Sequence, residues 1–131
     1  MARNKEIDAS EIDSSAEMDF AQQWVDLFPS VDLVTQVKLI PKRRFRFDFA
    51  HFPSQTAIEI NGAVYGVRGK DGRRRPGGHG SGPGLLRDYE KSRLAALQGW
   101  LTVFLAPQQI TEESLRHIAA IIEARTKLLA K

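Results

Sequence analysis

Cysteine is absent from the 131 residues of this chain, which excludes disulfide bonds and thiolate metal ligands. No apolar run approaches the roughly 20 residues that a membrane-spanning helix needs. The first residues, 1–8, are too polar for a secretory signal. We therefore expect a cytoplasmic protein that does not contact a membrane.

Positive charge is in modest excess, with a net charge of +3 and an isoelectric point near 9.4. The excess is concentrated in residues 66–84, which also contain eight of the ten glycines. The basic residues of this segment are Arg68, Lys70, Arg73, Arg74 and Arg75, against the single acid Asp71. The glycines predict a long loop, of a kind that is usually functional or disordered. Its charge favours nucleic-acid contact over a merely solvated charge run.

The rest of the pattern predicts a single domain over residues 16–131, after a flexible tail at 1–15. The elements follow in the order helix, three strands, helix, strand and helix, at 16–28, 31–40, 45–49, 56–64, 85–98, 100–105 and 111–129. The three strands suit an antiparallel meander. The helix before the fourth strand is a crossover, which favours a parallel last pairing and an α/β fold.

Two carboxylates lie inside apolar strand segments. In residues 45–49 the three phenylalanines share one face and Asp48 lies on the other, while Glu59 lies opposite Ile58 and Ile60. If the strands are neighbours, both carboxylates enter one cleft, and a buried carboxylate needs a compensating cation or hydrogen bonds. The pattern predicts a Mg²⁺ site suited to phosphodiester cleavage. In the alternative, Asp48 pairs with a nearby arginine and Glu59 is a solvated strand residue.

Two further side chains could assist such a site. Lys91 shares a helical face with Asp88 and Ala95, and could hold a water molecule or neutralise a transition state. A surface ion pair with Asp88 explains it equally well. His79 stands among glycines and could approach a phosphate as acid or base, although its local sequence alone favours an ordinary loop histidine.

Five motifs follow one another in a distinctive order along the chain. They are Arg44-Phe45-Arg46-Phe47-Asp48-Phe49-Ala50, Glu59-Ile60-Asn61-Gly62, His79-Gly80-Ser81-Gly82-Pro83-Gly84, Asp88-Tyr89-Glu90-Lys91 and Gly99-Trp100. Over about residues 36–110, this order resembles that of PD-(D/E)xK, or restriction-endonuclease-like, nucleases. The similarity is greatest to the small phage and bacterial branch related to very-short-patch repair endonucleases.

The resemblance implies a restriction-endonuclease-like αβββαβ core: a mixed four-stranded sheet flanked by helices, with an extra C-terminal helix. It implies a divalent cation, Mg²⁺ or Mn²⁺ in its place, held by Asp48, Glu59 and the backbone carbonyl of Ile60. It also places His79 and Lys91 at catalytic positions.

The chain departs from the family pattern at position 61, where neutral Asn61 stands in place of the usual lysine. Lys91, on the helix, would then supply the missing lysine. Glu17 on the first helix, Asn61 and Asp88 are additional candidates. The residues expected to contact nucleic acid are Arg68, Lys70, Arg73, Arg74, Arg75 and Arg87.

The prediction is a metal-dependent DNA endonuclease in a bacterial cell or a phage-infected host, with repair, recombination, packaging and restriction all open as its pathway. The small chain has little room for a target-recognition domain, which favours selectivity for a DNA junction, flap, nick or mismatch. The alternatives are a non-catalytic nucleic-acid-binding module on the same fold and a protein-interaction domain that binds acidic partners. A homodimer would suit a junction, but the sequence leaves the oligomeric state open.

Overall fold

A mixed four-stranded sheet organises the fold. The computed structural model describes residues 15–61, 67–68, 74–75 and 82–131, without the side chains of residues 67, 68, 74, 75, 82 and 83. Its helices are α1 (Ser15–Leu27), α2 (Gly82–Leu97) and α3 (Glu112–Leu129), with a short 3-10 turn at Pro107–Gln109. Its strands are β1 (Val34–Val37), β2 (Phe47–His51), β3 (Thr56–Ile60), β4 (Val67–Arg68), β5 (Arg74–Arg75) and β6 (Leu101–Leu105).

The strand order in the main sheet is β1-β2-β3-β6. The first two pairings are antiparallel and the β3–β6 pairing is parallel, so the predicted meander, crossover helix and α/β class are confirmed. The prediction for 66–84 was wrong in part. β4 and β5 form a two-residue antiparallel pair inside this segment, and α2 begins at Gly82 rather than at residue 85.

One face of the sheet packs on α1 and α3. Phe20 and Trp24 recur at helical spacing on α1 and are fully buried against Phe49 and Ile58 of the sheet. The α3 residues that complete this cluster are Leu115, Ile118 and Ile122. Burial of these large side chains is the main stabilising term that fixes the sheet between its helices.

The other face carries α2 and small side chains. Ala50 and Ala57 lie on adjacent strands beneath Ala95 of α2, and all three are fully buried. Residues without bulk at these positions let the helix approach the sheet closely. Phe47 belongs to this second cluster and Phe49 to the first, so the prediction that the three phenylalanines share one face was wrong. Phe47 is the first residue of β2, where the chain enters the sheet.

The ends of two helices follow the expected local chemistry. Thr111 is the N-cap of α3, and its side chain accepts a hydrogen bond from Ser114 N. Gly99 follows α2 with φ +87, a left-handed conformation that favours glycine. In the described ranges, every helix is too short or too polar to cross a lipid bilayer.

Candidate active site

Asp48 and Glu59 lie on adjacent strands, and the carboxylate of each accepts a hydrogen bond from the backbone of the other strand. Asp48 N donates to Glu59 Oε1 at 3.0 Å, and Ile60 N donates to Asp48 Oδ2 at 2.8 Å. The described ladder between β2 and β3 runs only from the His51–Thr56 pair to the Phe49–Ile58 pair. Beyond it, the two carboxylates take the place of backbone acceptors, which fixes both of them at the point where the strands separate.

Lys91 reaches this point from α2. Its Nζ donates to Glu59 Oε1 at 2.9 Å and to the carbonyl of Arg46, and lies 4.4 Å from the centre of the Phe47 ring. Lys91 is 8% exposed and Glu59 only 2%. The alternatives in which Lys91 forms a surface ion pair and Glu59 is solvated are therefore wrong. Among the described residues, Lys91 is the cation that compensates the Glu59 carboxylate.

The environment of Glu59 opposes its ionisation. Burial and, to a smaller extent, the negative charge of Asp48 raise the pKa of Glu59 to about 7, although Lys91 acts in the opposite direction. A carboxyl group with such a pKa exchanges its proton near neutrality. Perturbed carboxyl groups of this kind are common at functional sites, although ion-pair networks also produce them.

Gln36 joins the site from β1, and the sequence analysis did not identify it. Its Nε2 lies 3.3 Å from Glu17 Oε2 on α1 and 3.5 Å from Asp48 Oδ1 on β2. Glu17, an additional candidate from the sequence, is thereby brought to the same edge of the site as Asp48. A glutamine among β-branched residues inside an edge strand gives no signal that would single it out.

Asn61 directly follows β3, two residues after Glu59, and its N–H donates to the carbonyl of Leu105 at 2.8 Å. Its Oδ1 is buried without a hydrogen-bond partner in the described part of the chain. Leaving such an oxygen unsatisfied costs about 1–3 kcal/mol. A bound water or cation would satisfy it, and amide oxygens are ligands that hard cations accept.

The donor set fits Mg²⁺ better than a metal that needs many protein ligands. Within residues 15–61 and 82–131, no three carboxylate or imidazole side chains converge in a metal-binding group. One or two carboxylates are nevertheless what Mg²⁺ typically takes from a protein, because water and phosphate complete its coordination shell. The Ile60 peptide lies beside both carboxylates, and the role of its carbonyl stays a prediction.

The remaining candidates divide between the described and the undescribed residues. Asp88 is buried one turn before Lys91 on the same helix, and Arg87 beside it is exposed. His79, Lys70 and Arg73 lie outside the described residues. The side chains of Arg68, Arg74 and Arg75 also lie outside the description.

A second basic segment, which the sequence analysis overlooked, precedes Asp48. Residues 38–46 contain five cationic side chains and no acid, and all five are exposed: Lys38, Lys42, Arg43, Arg44 and Arg46. Arg43 forms an ion pair with Glu90 of α2 at 3.0 Å. The segment ends at Arg46, whose carbonyl accepts from Lys91, so this positive surface borders the site directly.

Comparison of the chain with protein-family models, with curated proteins and with solved structures finds no match, so its likeness to restriction-endonuclease-like proteins rests on the sequence motifs quoted above.

Proposed function

We propose that the protein is a divalent-metal-dependent endonuclease that hydrolyses phosphodiester bonds in DNA. The observation that carries the proposal is the junction of Asp48, Glu59 and Lys91, which three separate elements bring to one point. A strand pair supplies two carboxylates and a helix supplies a lysine. This is the chemical set of the nuclease motif, with the lysine coming from a different place in the chain.

Each residue has a role that follows from its surroundings. Asp48 and Glu59, with the carbonyl of Ile60, would hold the cation, whose chemistry is to activate water and to stabilise charge on the phosphate. Their orientation is fixed before any ligand binds, because Ile60 N and Asp48 N hold one oxygen of each carboxylate. Such preorganisation supplies much of the catalysis in phosphoryl chemistry.

Lys91, which contacts Glu59 from α2, would act on the reacting groups. Its charged amine lies 2.9 Å from the Glu59 carboxylate and over an aromatic ring, where a cation interacts favourably. From this position it can hold an attacking water molecule or neutralise charge that develops on the phosphate. His79 is kept as a candidate acid or base for the leaving oxygen.

The exposed charge supports DNA as the substrate. The segment 38–46 places five cations before Asp48, and Arg87 adds a sixth exposed cation near Lys91. Phosphate contacts of this kind hold a nucleic acid without reading its sequence. Selectivity for a junction, flap, nick or mismatch, and a dimer that would cut two strands of a junction, belong to this proposal.

Two observations favour a second function, that of a nucleic-acid-binding module without catalysis. Lys91 compensates the charge of Glu59, and Asn61 is neutral where restriction-endonuclease-like nucleases have a lysine. A buried carboxylate whose charge a lysine compensates can have a purely structural role, without catalysis. Cleavage and metal binding, measured separately, distinguish the two functions.

The test is cleavage of labelled duplex, single-stranded, flap, four-way-junction and mismatched DNA with Mg²⁺, Mn²⁺ or EDTA. The Glu59→Gln protein, which keeps the size of the side chain, serves as the matched control. We expect metal-dependent cutting that the control lacks while it still binds DNA. DNA binding without cleavage in either Mg²⁺ or Mn²⁺ would contradict the endonuclease proposal and support the non-catalytic binding module.

A further inference from the structure

Gln36 adopts a backbone conformation that is unusual for its place in the fold. Its φ is +48, in the left-handed region, although it lies inside β1. Thr35 before it pairs with Phe49, and Val37 after it pairs with Phe47, so the strand is regular on both sides. A non-glycine residue held in this region costs about 1–3 kcal/mol and persists only where its surroundings enforce it.

The strained backbone of Gln36 is accompanied by side-chain contacts to two acids. Gln36 faces Asp48 across the β1–β2 pair, and its Nε2 lies within reach of Asp48 Oδ1 and of Glu17 Oε2. One amide nitrogen is thus shared between two carboxylates from two other elements. The amide nitrogen carries two hydrogens, one for each acceptor, and the contact distances of 3.5 Å and 3.3 Å are at the long end for such hydrogen bonds.

We propose that Gln36 is a positioning residue of the site, which holds the carboxylates of Asp48 and Glu17 in place for a divalent cation. The inference rests on the proposed function and extends it to a residue that no motif contains. Gln36 acts through the acids and does not need to touch the substrate.

Electrostatics explains why these two acids need a positioning residue. Two carboxylates brought to one nitrogen repel each other, and a neutral amide donor compensates only part of that repulsion. A divalent cation beside them compensates it fully. The Gln36 amide therefore contributes to holding the two acids together before a cation binds, so that less of the free energy of cation binding is spent on gathering them.

The test compares two substitutions that remove the amide in different ways. Gln36→Leu deletes the donor and keeps a side chain on the strained backbone, whereas Gln36→Gly deletes the side chain and removes the steric cost of φ +48. Gln22→Leu is the matched control, because Gln22 makes an exposed bond to Asp26 on α1. Mn²⁺ binding without DNA is measured by electron paramagnetic resonance, and the melting temperature is measured in EDTA.

We expect both Gln36 proteins to bind Mn²⁺ about tenfold more weakly than the wild type, the usual effect of losing a group that orients a ligand. Gln36→Gly should melt at the same temperature as the wild type or higher, and Gln22→Leu should bind Mn²⁺ normally. Unchanged Mn²⁺ affinity in either Gln36 protein overturns the inference and leaves the proposed function intact. A lowered melting temperature in Gln36→Gly makes the role structural and also overturns it. A wild-type protein that binds no Mn²⁺ overturns both proposals together.

Discussion

Glu59 shows how one buried residue can combine a stabilising and a destabilising role. Its Oε1 accepts from Lys91 Nζ and from Asp48 N, but burial and the Asp48 charge still raise its pKa to about 7. A buried ion pair recovers its desolvation cost only with good geometry and further hydrogen bonds. The site therefore holds a carboxyl group whose charge is only marginally favoured at neutral pH.

This pKa predicts how the stability of the metal-free protein depends on pH. The folded pKa of Glu59 is about 7 and its ordinary value is 4.5, so between these values the folded chain binds more protons than the unfolded chain. The contribution of Glu59 is therefore full below pH 4.5 and is lost as pH rises through 7. We expect a loss of roughly 3 kcal/mol at most, since one pKa unit corresponds to about 1.4 kcal/mol.

Urea denaturation in EDTA at several pH values between 5 and 8 measures this loss. The Glu59→Gln protein cannot titrate at this position, so the difference between the two proteins isolates Glu59 from the other groups. Parallel stability curves for the two proteins over this range would contradict the raised pKa.

At the scale of elements, contacts outside the site hold in position the strands and the helix that form it. Arg125 of α3 donates to three carbonyls, those of Ser54, Gln55 and Gly99, at 2.9 Å, 3.3 Å and 3.1 Å. The first two belong to the turn between β2 and β3, and the third follows α2. A single guanidinium group thus ties the last helix to the two turns that position the strands and helix of the site.

We expect Arg125→Met to lower the free energy of unfolding by about 2 kcal/mol, because carbonyls bound by a charged donor lose it while the apolar stem of the side chain is kept. Lys127→Met is the control, since its exposed pair with Glu123 should contribute below about 0.5 kcal/mol. Urea denaturation of both proteins gives the comparison. Equal free energies of unfolding for the Arg125→Met and Lys127→Met proteins would show that water replaces the Arg125 hydrogen bonds without cost.

At the scale of the whole molecule, charge is arranged unevenly about the sheet. The basic segment 38–46 adjoins the face that carries α2 and Lys91, whereas α3 covers the opposite face. A net charge of only +3 would give weak attraction to a polyanion if it were spread evenly. The five cations of segment 38–46 lie next to the carboxylates and can bring phosphates to an acidic site that would otherwise repel them.

This arrangement predicts which arginines bind DNA. In a Glu59→Gln background, Arg44→Gln and Arg46→Gln should each weaken binding and reduce the slope of log affinity against log salt by about 0.9 on duplex DNA. Arg116→Gln, an exposed change on α3, is the control and should alter neither. Fluorescence anisotropy at several salt concentrations measures the slopes. Equal slopes for Arg44, Arg46 and Arg116 variants would mean that the segment does not bind phosphate.

The sequence by itself determined the order of the elements outside residues 66–84, the antiparallel meander, the crossover, the end of α2 and the start of α3. These follow from hydrophobic period, β-branched residues, Gly99 and Thr111, all of which act through neighbours in the chain. It also identified Asp48 and Glu59, because a carboxylate between apolar residues is conspicuous in any strand pattern. Lys91 was left between two interpretations because its partner lies 32 residues away.

Only the tertiary structure decided what these groups contact. The separation of β2 from β3 makes each carboxylate accept a backbone N–H, and no local pattern encodes where strands separate. The placement of Gln36 depends on a left-handed residue within a strand, which sequence periodicity treats as regular. The partners of Lys91, Arg125 and Glu17 come from different elements, so their contacts depend on how helices and sheet pack rather than on spacing along the chain.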